Sequence, residues 1–319
     1  MLRFHRLSVP TPYSVGSVNS YLIVSEPVTL VDPGPDWPPA REALCGELER
    51  LGLGLQAVAR VVLTHSHSDH SGLARFVHEA TGAPVYVHRH ALAELAPDYD
   101  YLAVRLPFLR ESGLPEPVLE KLIILKDVVP QPVVLPEEAV VVHGGESLEF
   151  SEGSLRLLHT PGHAAGHLCL WDEAGRVLFS GDFLLPDITP NPVLGPDPEN
   201  PAQRDRSLEH YLSGLEVVRR LNPRVVWPGH GEAILNPPEV VARNLAHHRA
   251  RLQAVLDLLG ESALTAYQVA AALFPDLRQF DIFLGLSEAF AHLDYLRERG
   301  EVEAFYRNGV LYFRRAGTH

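Results

Sequence analysis

Three histidines and an aspartate lie within the segment His65-Ser66-His67-Ser68-Asp69-His70. This segment constrains the possible fold and function of the chain more than any other. It follows the apolar run Arg60–Leu63, which has the composition of a buried strand, and it precedes a helix predicted to begin near Gly72. Imidazole and carboxylate groups are typical ligands of zinc and related metals. The segment therefore predicts a metal site in a loop at the end of a buried strand.

The spacing of these four side chains indicates two ions rather than one. Four ligands this close in sequence cannot all reach a single ion without strain. The alternate residues His65 and His67 can face one ion, and the consecutive pair Asp69 and His70 can face another. The alternative is a helix N-terminus that Asp69 caps, with solvated histidines, but polar groups at this density need partners when they are buried.

Three further segments offer ligands in the same context, directly after a predicted strand and beside glycine or proline. They are His159-Thr160-Pro161-Gly162-His163 with His167 four residues later, Ser180-Gly181-Asp182, and Pro228-Gly229-His230-Gly231. Irregular backbone at a strand end lets side chains from different strands converge. Together with the first segment they predict a dinuclear metal site.

The order of apolar patterns predicts a layered α/β domain. Residues 1–90 alternate strand-like and helix-like stretches, and a helix over Pro38–Leu51 ends at Gly52. Residues 91–134 are helical in pattern and broken by prolines, which indicates a helical insertion, either a surface elaboration or a substrate-shaping lid. Strand patterns return at Ala139–Val142, Leu155–His159, Leu168–Trp171, Val177–Phe179 and Arg224–Trp227.

A change of pattern after Pro238 predicts a domain boundary, with one domain over residues 1–238 and a second over 239–319. Asn308-Gly309 is a strong hairpin turn signal. Three helical patterns precede the two strands that it joins, and this is the layout of a winged-helix module. The helices are predicted over Val240–Leu259, Ala263–Phe274 and Leu284–Arg299, and the strands over Val302–Tyr306 and Val310–Arg314.

Charge and composition narrow the class of protein. The chain has 27 basic and 40 acidic residues, a net charge of −13, and so lacks the overall basic character of a nucleic-acid-binding protein. From residue 240 onward nine basic and nine acidic residues balance, which favours a packing or dimerisation role for the C-terminal module over DNA binding, and leaves a homo-oligomer open. The apolar runs are too short to span a membrane and no secretory signal is seen, so we expect a cytoplasmic protein. Cys45 and Cys169 are predicted to be small buried side chains.

The four ligand-bearing segments resemble, in order and in local context, the metal-binding motifs of the metallo-β-lactamase superfamily: an HxHxDH loop, a TPGH loop, an SGD strand end and a PGHG strand end. Asn19-Ser20-Tyr21-Leu22-Ile23 and Val31-Asp32-Pro33-Gly34 are also typical of that superfamily. The resemblance covers roughly residues 13–235. It implies an αββα four-layer sandwich with the site at one edge of the two sheets.

The resemblance also implies a ligand set. One metal ion would be held by His65, His67 and His163, the other by Asp69, His70 and His230, with Asp182 bridging the two. His167 matches no ligand position and is expected to orient a ligand through a hydrogen bond. Asp32 is a similar candidate, or else only a turn-forming residue before Pro-Gly.

The chemistry that the resemblance implies is hydrolysis. Two divalent ions, zinc by donor chemistry with iron or manganese as alternatives, would share a hydroxide as nucleophile, and Asp69 would steer or accept its proton. The substrate would be an ester, a thioester or a phosphodiester, in a small molecule or in single-stranded RNA. The C-terminal layout resembles the β-lactamase-like protein 2 group, which is linked with single-stranded RNA cleavage, whereas the motifs also resemble hydroxyacylglutathione hydrolase, a thioesterase.

A rival of another class is a DNA-binding regulator in which the metal site is sensory. An endonuclease would show a basic strip, for which Arg204 and Arg206 are candidates, and a thioesterase would need cationic anchors for glutathione carboxylates. The other histidines are predicted to play no part in the site. His159 packs at a strand end, the pair His247-His248 is solvated, and His88, His90 and His143 lack ligand-like neighbours.

Overall fold

The structure is a computed structural model that describes residues 2–125, 135, 139–276 and 280–317. The chain divides into two compact units. The first contains residues 1–99, 131–190 and 214–241, and the second contains residues 100–130, 191–213 and 242–319. Residues 126–134 of the predicted insertion lie outside the described residues.

Two sheets form the first unit. Among the described residues the first sheet has six strands in sequence order, β1 (Phe4–Val9), β2 (Val18–Ile23), β3 (Thr29–Val31), β4 (Arg60–Val62), β5 (Val85–His88) and β6 (Val140–Val142). The second has five in the order β11-β10-β9-β8-β7, namely β7 (Ser147–Phe150), β8 (Gly153–His159), β9 (Leu168–Asp172), β10 (Val177–Gly181) and β11 (Val225–Pro228).

The last helix predicted from the sequence begins at Phe280 rather than Leu284, and Asp69 and His70 lie on a short helix that begins at Ser68, before the predicted start near Gly72. The helices predicted over Pro38–Leu51, Val240–Leu259 and Ala263–Phe274 have bounds within three residues of those expected. Helices are interspersed with the strands along the described chain. They are α1 (Pro38–Arg50), α2 (Ser68–Ser71), α3 (Ala74–Thr81), α4 (Arg89–Glu94), α5 (Leu106–Glu111), α6 (Glu116–Leu125), α7 (Ser207–Leu221), α8 (Pro237–Leu259), α9 (Ala266–Leu273) and α10 (Phe280–Glu298). Within the described chain, no helix is long and apolar enough to cross a membrane.

The buried apolar side chains of the first unit form two layers, one between the two sheets and one between the first sheet and its helices. Between the sheets, buried side chains such as Tyr21, Val62, Leu157 and Phe179 pack together, so each sheet buries one face against the other. On the opposite face of the first sheet, residues of α1 and α3 pack against β1, β2 and β5. This layering agrees with the expected mixed α/β architecture. It leaves the loops at the strand ends as the place where polar side chains gather.

The second unit is built from segments that are far apart in sequence. Phe108 of α5, Leu259 of α8, Phe290 of α10 and Phe313 share one buried cluster. A three-stranded sheet, β12 (Leu264–Thr265), β14 (Val310–Arg315) and β13 (Val302–Arg307), adjoins in the order β12-β14-β13. The Thr265 side chain and Gln268 form a reciprocal capping box, so α9 begins at Ala266, three residues later than the sequence pattern predicts.

Two sequence expectations about single residues are corrected by the fold. Cys169 is buried as predicted, but Cys45, which follows the buried Leu44 on α1, is only partly buried. Arg204 belongs to no exposed basic strip, because its guanidinium lies inside the second unit and pairs with Glu111 and Asp294.

The loop that carries the first histidines is held by a close backbone contact at Gly72. A Cβ atom at this position would overlap the backbone of Asp36 and approach the carbonyl oxygen of Ser68 to 2.6 Å. Gly34 reinforces the contact, since its amide donates to the carbonyl of His70 and its carbonyl accepts from Leu73. The turn before α1 therefore lies directly on the ligand loop, with no room for a side chain between them.

Gly72→Ala is expected to destabilise the protein by about 1–3 kcal/mol, because backbone must move to admit the methyl group. Gly46→Ala is the matched control: it lies in α1 with open space around its Cα, and removing a helical glycine gains up to about 1 kcal/mol. Denaturant titration followed by circular dichroism measures both. Equal stability changes of the same sign in the two variants would contradict this account of the loop.

Candidate metal centre

Four strand ends of the first unit bring seven predicted ligands together. The first loop follows β4, and the others follow β8, β10 and β11. The side chains that converge there are His65, His67, Asp69, His70, His163, Asp182 and His230. These residues form three groups, and within each group the potential ligand atoms lie within 4.8 Å of one another. The group of His65, His70 and Asp182 shares one histidine with each of the other two, so the three groups connect all seven residues.

The first group consists of His65, His67 and His163. Nδ1 of His67 lies 3.0 Å from Nε2 of His163. The ring of His65 lies 4.5 Å from that of His67, centroid to centroid, and its buried Nε2 has no hydrogen-bond partner among the described residues. Two nitrogens that share a tetrahedral zinc ion with bonds of about 2.0–2.1 Å are separated by roughly 3.3 Å, so this spacing suits a common ion.

The second group consists of Asp69, His70 and His230. Nε2 of His230 lies 3.3 Å from Nε2 of His70 and 3.3 Å from Oδ2 of Asp69. Nδ1 of His230 donates to the carbonyl of Ser17 at 2.9 Å, which fixes the ring with Nε2 toward Asp69 and His70. The potential ligand atoms of the second group therefore also face one another.

Asp182 lies between the two groups. Its Oδ1 is 3.4 Å from Nε2 of His70, and its Oδ2 is 3.6 Å from Nε2 of His230 and 3.8 Å from Nε2 of His163. Oδ1 is buried without a hydrogen-bond partner within the described part of the chain. The carboxylate thus has an oxygen available on the side of each group.

Two glycines make this approach possible. A Cβ atom on Gly229 would overlap Oδ1 of Asp182 and come within 2.7 Å of the ring of His70. Gly181 has a φ of 47°, and its Cβ would meet Oγ1 of Thr64 at 2.7 Å. Gly229 of the PGHG segment is therefore required by close packing against two predicted ligands, and Gly181 of the SGD segment by close packing against Thr64 and His167, which hold ligands in place.

Asp32 and Thr64 fix the protons of two ligands. Asp32 accepts hydrogen bonds from the Thr64 amide at 2.8 Å, the Thr64 hydroxyl at 2.6 Å and Nδ1 of His70 at 2.9 Å. Since the Thr64 hydroxyl gives its proton to Asp32, it accepts from Nδ1 of His65, at 3.0 Å. Both rings thereby carry a proton on Nδ1 and present Nε2 to the site, which is the nitrogen that would bind a metal ion.

His167 holds the backbone of Asp182 rather than joining either group. Its Nε2 accepts from the Asp182 amide at 3.2 Å, and its Nδ1 donates to the Thr160 hydroxyl at 3.0 Å. Burial, reinforced by the neighbouring His163, lowers the pKa of His167 well below the usual range. The ring is therefore neutral, as its role as acceptor requires.

The buried carboxylates and neutral imidazole of this site favour a bound cation. Burial, and then the neighbouring His70, lower the pKa of His65 well below its usual range, so that ring is neutral. Burial opposes ionisation of Asp182, but His70 outweighs it and holds the pKa of the carboxyl below its usual range. Burial likewise lowers the pKa of His70, yet Asp182, with Asp69, raises it overall well above the usual range.

The residues present fit a pair of metal ions. Carboxylates surround a buried ring, and Nε2 of His65 and Oδ1 of Asp182, which have no hydrogen-bond partner among the described residues, belong to the same site. A carboxylate and an imidazole lone pair that are buried without partners cost free energy unless a cation coordinates them. The donor set is nitrogen and oxygen only, which suits zinc and also iron or manganese.

Several histidines outside this site lie differently from the sequence expectation. The prediction that His248 is solvated is wrong, since its side chain is fully buried. The prediction that His88 and His90 lack ligand-like neighbours is also wrong, because each offers a nitrogen within 4.8 Å of one on His159. His159 does lie at a strand end, and its ring stacks on that of His88 at 4.0 Å.

Two features of the centre carried no clear sequence signal. Thr64 precedes the first histidine and looks like an ordinary loop residue, yet it relays a hydrogen bond from His65 to Asp32. Tyr13 donates or accepts a hydrogen bond at 2.8 Å with Ser68, next to Asp69. Only the pairing of β3 with β4, which sets Asp32 beside Thr64, would have revealed the first of these.

Some relatives share only part of the chain. Thioesterase pkgB of Emericella nidulans is 25% identical over 252 residues, covering 78% of this chain and 56% of that protein. A β-lactamase-like protein 2 homolog of Caenorhabditis elegans is 29% identical over 136 residues, covering 42% of each. The chain thus spans about half the length of these two proteins.

Other comparisons cover nearly the whole chain. The probable metallo-hydrolase YqjP of Bacillus subtilis (strain 168) is 30% identical over 316 residues, which are 97% of this chain and 96% of that protein. The crystal structure of the metallo-beta-lactamase family protein TTHA1429 from Thermus thermophilus covers 98% of each chain with a TM-score of 0.83 and 33% identity. The sequence profile of the metallo-beta-lactamase superfamily matches residues 13–230, where all seven converging side chains lie. The chain therefore belongs to the metallo-β-lactamase superfamily and is a metallo-hydrolase.

Proposed function

We propose that this protein is a dinuclear metal-dependent hydrolase that cleaves a carboxylic ester or thioester of a small molecule. The observation that carries the proposal is the set of seven converging ligands, in which a buried imidazole nitrogen and a buried carboxylate oxygen have no partner among the described residues. His65, His67 and His163 would hold one ion, and Asp69, His70 and His230 the other. Asp182 would contact both, and zinc is the ion we expect.

Bound metal ions would supply a Lewis acid and a water that ionises near neutral pH. The chain itself supplies proton handling and alignment. The Asp69 side chain is 14% exposed, against 10% for Asp182 and 0% for His70, so it is the most accessible to water of the three. We infer that the Asp69 carboxylate accepts the proton of the attacking water, while Asp32, Thr64 and His167 keep the ligands aligned.

The charges favour an acyl substrate over RNA. A single-stranded nucleic acid needs a cationic groove that follows its backbone. Of the two arginines that the sequence offers for such a groove, Arg204 is 8% exposed and paired with two carboxylates, and Arg206 is exposed but pairs with Glu209. The whole chain carries a net charge of −13. Partial similarity to a protein named as a thioesterase supports acyl hydrolysis. Phosphodiester cleavage is the second candidate, supported by partial similarity to the β-lactamase-like protein 2 homolog.

The end of the chain supports a winged-helix module. The order α8, β12, α9, α10 and the hairpin β13-β14 is the succession that such a module requires. Its nine basic and nine acidic residues from residue 240 onward do not favour DNA binding. We propose a packing role, which also argues against the alternative of a metal-sensing DNA-binding regulator.

The reaction class is tested with the zinc-loaded protein and a panel of generic substrates. Aryl thioesters, aryl esters and lactones should be hydrolysed, and hydrolysis should be lost on chelation and restored by zinc. Bis(p-nitrophenyl) phosphate and a fluorogenic single-stranded RNA should react at least about tenfold more slowly. Cleavage of the phosphodiesters alone would overturn the acyl assignment in favour of a nuclease.

Asp69→Asn should lower turnover by about 10²–10⁴-fold, because the amide keeps the size and one oxygen but cannot accept a proton. Metal content is measured on the same sample, so that loss of turnover is separated from loss of metal. Asp36→Asn is the matched control, since Asp36 is half exposed and pairs only with Arg41 in the described structure. Full activity of metal-loaded Asp69→Asn would show that Asp69 is a ligand only.

Metal stoichiometry distinguishes the ligand Asp182 from the positioning residue His167. The wild-type centre should hold two ions, and Asp182→Ala should remove much of the affinity for the pair. His167→Ala loses the hydrogen bonds to the Asp182 amide and the Thr160 hydroxyl but removes no predicted ligand, so both ions should remain with affinity lowered by about 10–100-fold. Isothermal titration with zinc measures both variants, and complete loss of one ion in His167→Ala would reverse the assignment of the two roles.

A further inference from the structure

A second cluster of histidines lies in the second unit, between α8 and α10. It comprises His247 and His248 on α8 and Glu288 and His292 on α10. His248 and His292 are fully buried and Glu288 is 6% exposed. Nothing in the hydrolytic chemistry proposed above uses these side chains, and buried polar groups at this density need partners.

The hydrogen bonds in this cluster fix which ring nitrogens carry protons. Nδ1 of His292 donates to the carbonyl of Glu288 at 2.7 Å, so Nε2 of the neutral His292 ring is an acceptor. Nδ1 of His248 lies 3.2 Å from that nitrogen and must donate to it. The remaining nitrogen of His248, Nε2, therefore carries a lone pair.

No described residue donates a hydrogen bond to that lone pair. Nε2 of His248 is buried and has no hydrogen-bond partner among the described residues. Burial, together with His292, lowers the pKa of His248 to about 3, so the nitrogen is unprotonated at neutral pH. A histidine whose other ring nitrogen donates to a fixed acceptor is the usual form of a metal ligand.

His247 and Glu288 also offer ligand atoms near the His248 side chain. One ligand atom from each of His247, His248 and Glu288 lies within 4.8 Å of the other two. Nε2 of His247 is 3.8 Å from Oε1 of Glu288, and the His247 side chain is 38% exposed, which gives an ion a path from solvent. Two imidazoles and a carboxylate are the donors of many zinc sites with one open position.

Arg251 also approaches the carboxylate, with Nε 3.7 Å from Oε1 of Glu288. Its guanidinium is held over the ring of Phe274 at 4.6 Å, so it does not close on the carboxylate at hydrogen-bond distance. One arginine contact leaves the carboxylate with lone pairs to spare. The contact of Arg251 with Glu288 also leaves Nε2 of His248 without a hydrogen-bond partner among the described residues.

The other histidine cluster outside the main centre, His88 with His90 and His159, does not offer the same chemistry. Nδ1 of His88 accepts the His90 amide at 3.3 Å, and Nε2 of His88 donates to the carbonyl of His143 at 3.2 Å. Both nitrogens of the buried ring are therefore already used. This contrast makes the cluster on α8 and α10 the better candidate.

We propose that His247, His248 and Glu288 bind one divalent transition-metal ion of the zinc class and so cross-link α8 to α10. The site is separate from the seven-ligand centre and does not depend on what that centre hydrolyses. Its role is structural, because an ion that binds only the folded arrangement stabilises it.

The test uses the full-length protein and zinc alone, by equilibrium dialysis at buffered free zinc with metal counted per chain. Wild type should hold one ion more than His247→Ala, whatever number the main centre holds, and hydrolase activity of His247→Ala should be unchanged. Glu288→Gln, which keeps the shape of the side chain, should weaken this ion by at least about tenfold. Circular dichroism confirms that each variant is folded.

His90→Ala is the matched control, because it removes a histidine from the other cluster. It should retain the extra ion. Equal zinc content in wild type and His247→Ala would overturn the proposal, and so would loss of the extra ion in His90→Ala with retention in His247→Ala. Because the result is a difference of one ion between variants, failure of the main centre to bind two ions would be seen separately, as a change in the total.

Discussion

The carboxylate of Asp32 is the contact on which the metal centre depends. It follows β3 and accepts three hydrogen bonds, two from Thr64 and one from His70, and so joins the end of one strand to the ligand loop of the next. Asp32 takes a φ of 52°, a left-handed conformation that aspartate tolerates better than most residues. This backbone conformation directs the Asp32 carboxylate toward the ligand loop.

This arrangement places negative charge where the protein has excluded water. Asp32 and Asp182 are buried, Asp69 is largely so, and the rings of His65 and His167 are neutral. Without a cation, the carboxylates must be balanced by a proton on His70, whose pKa they raise. A metal ion provides the same balance with more charge and also satisfies the orphaned atoms of His65 and Asp182, so metal binding and the stability of the first unit are thermodynamically linked.

How far the sequence predicts the fold and the site depends on whether a feature is local. Strand ends that carry a ligand are predictable from the sequence, because an apolar run, a glycine or proline, and a histidine or aspartate occur together within a few residues. The strand Leu264–Thr265 exists only through its pairing with β14, which no local pattern contains. Whether Asp32 orients a ligand or only makes a turn is likewise decided by the parallel pairing of β3 with β4, in which Val31 is opposite Val62. Arg204 shows the opposite failure, since a charged loop residue is expected at the surface, yet partners from two distant segments make it an interior ion pair.

The two histidine clusters show why one kind of site is visible in a sequence and the other is not. At the metal centre, glycines and prolines accompany the ligands, because loops must bend closely around an ion, and these residues mark the site. On α8 and α10 the ligands sit on regular helices, where His247-His248 and Glu288 look like ordinary polar positions of an amphipathic pattern. Only the packing of the two helices turns those positions inward. A lone pair left unsatisfied by that packing is a property of the tertiary structure, and it is the physical reason to look for a ligand there.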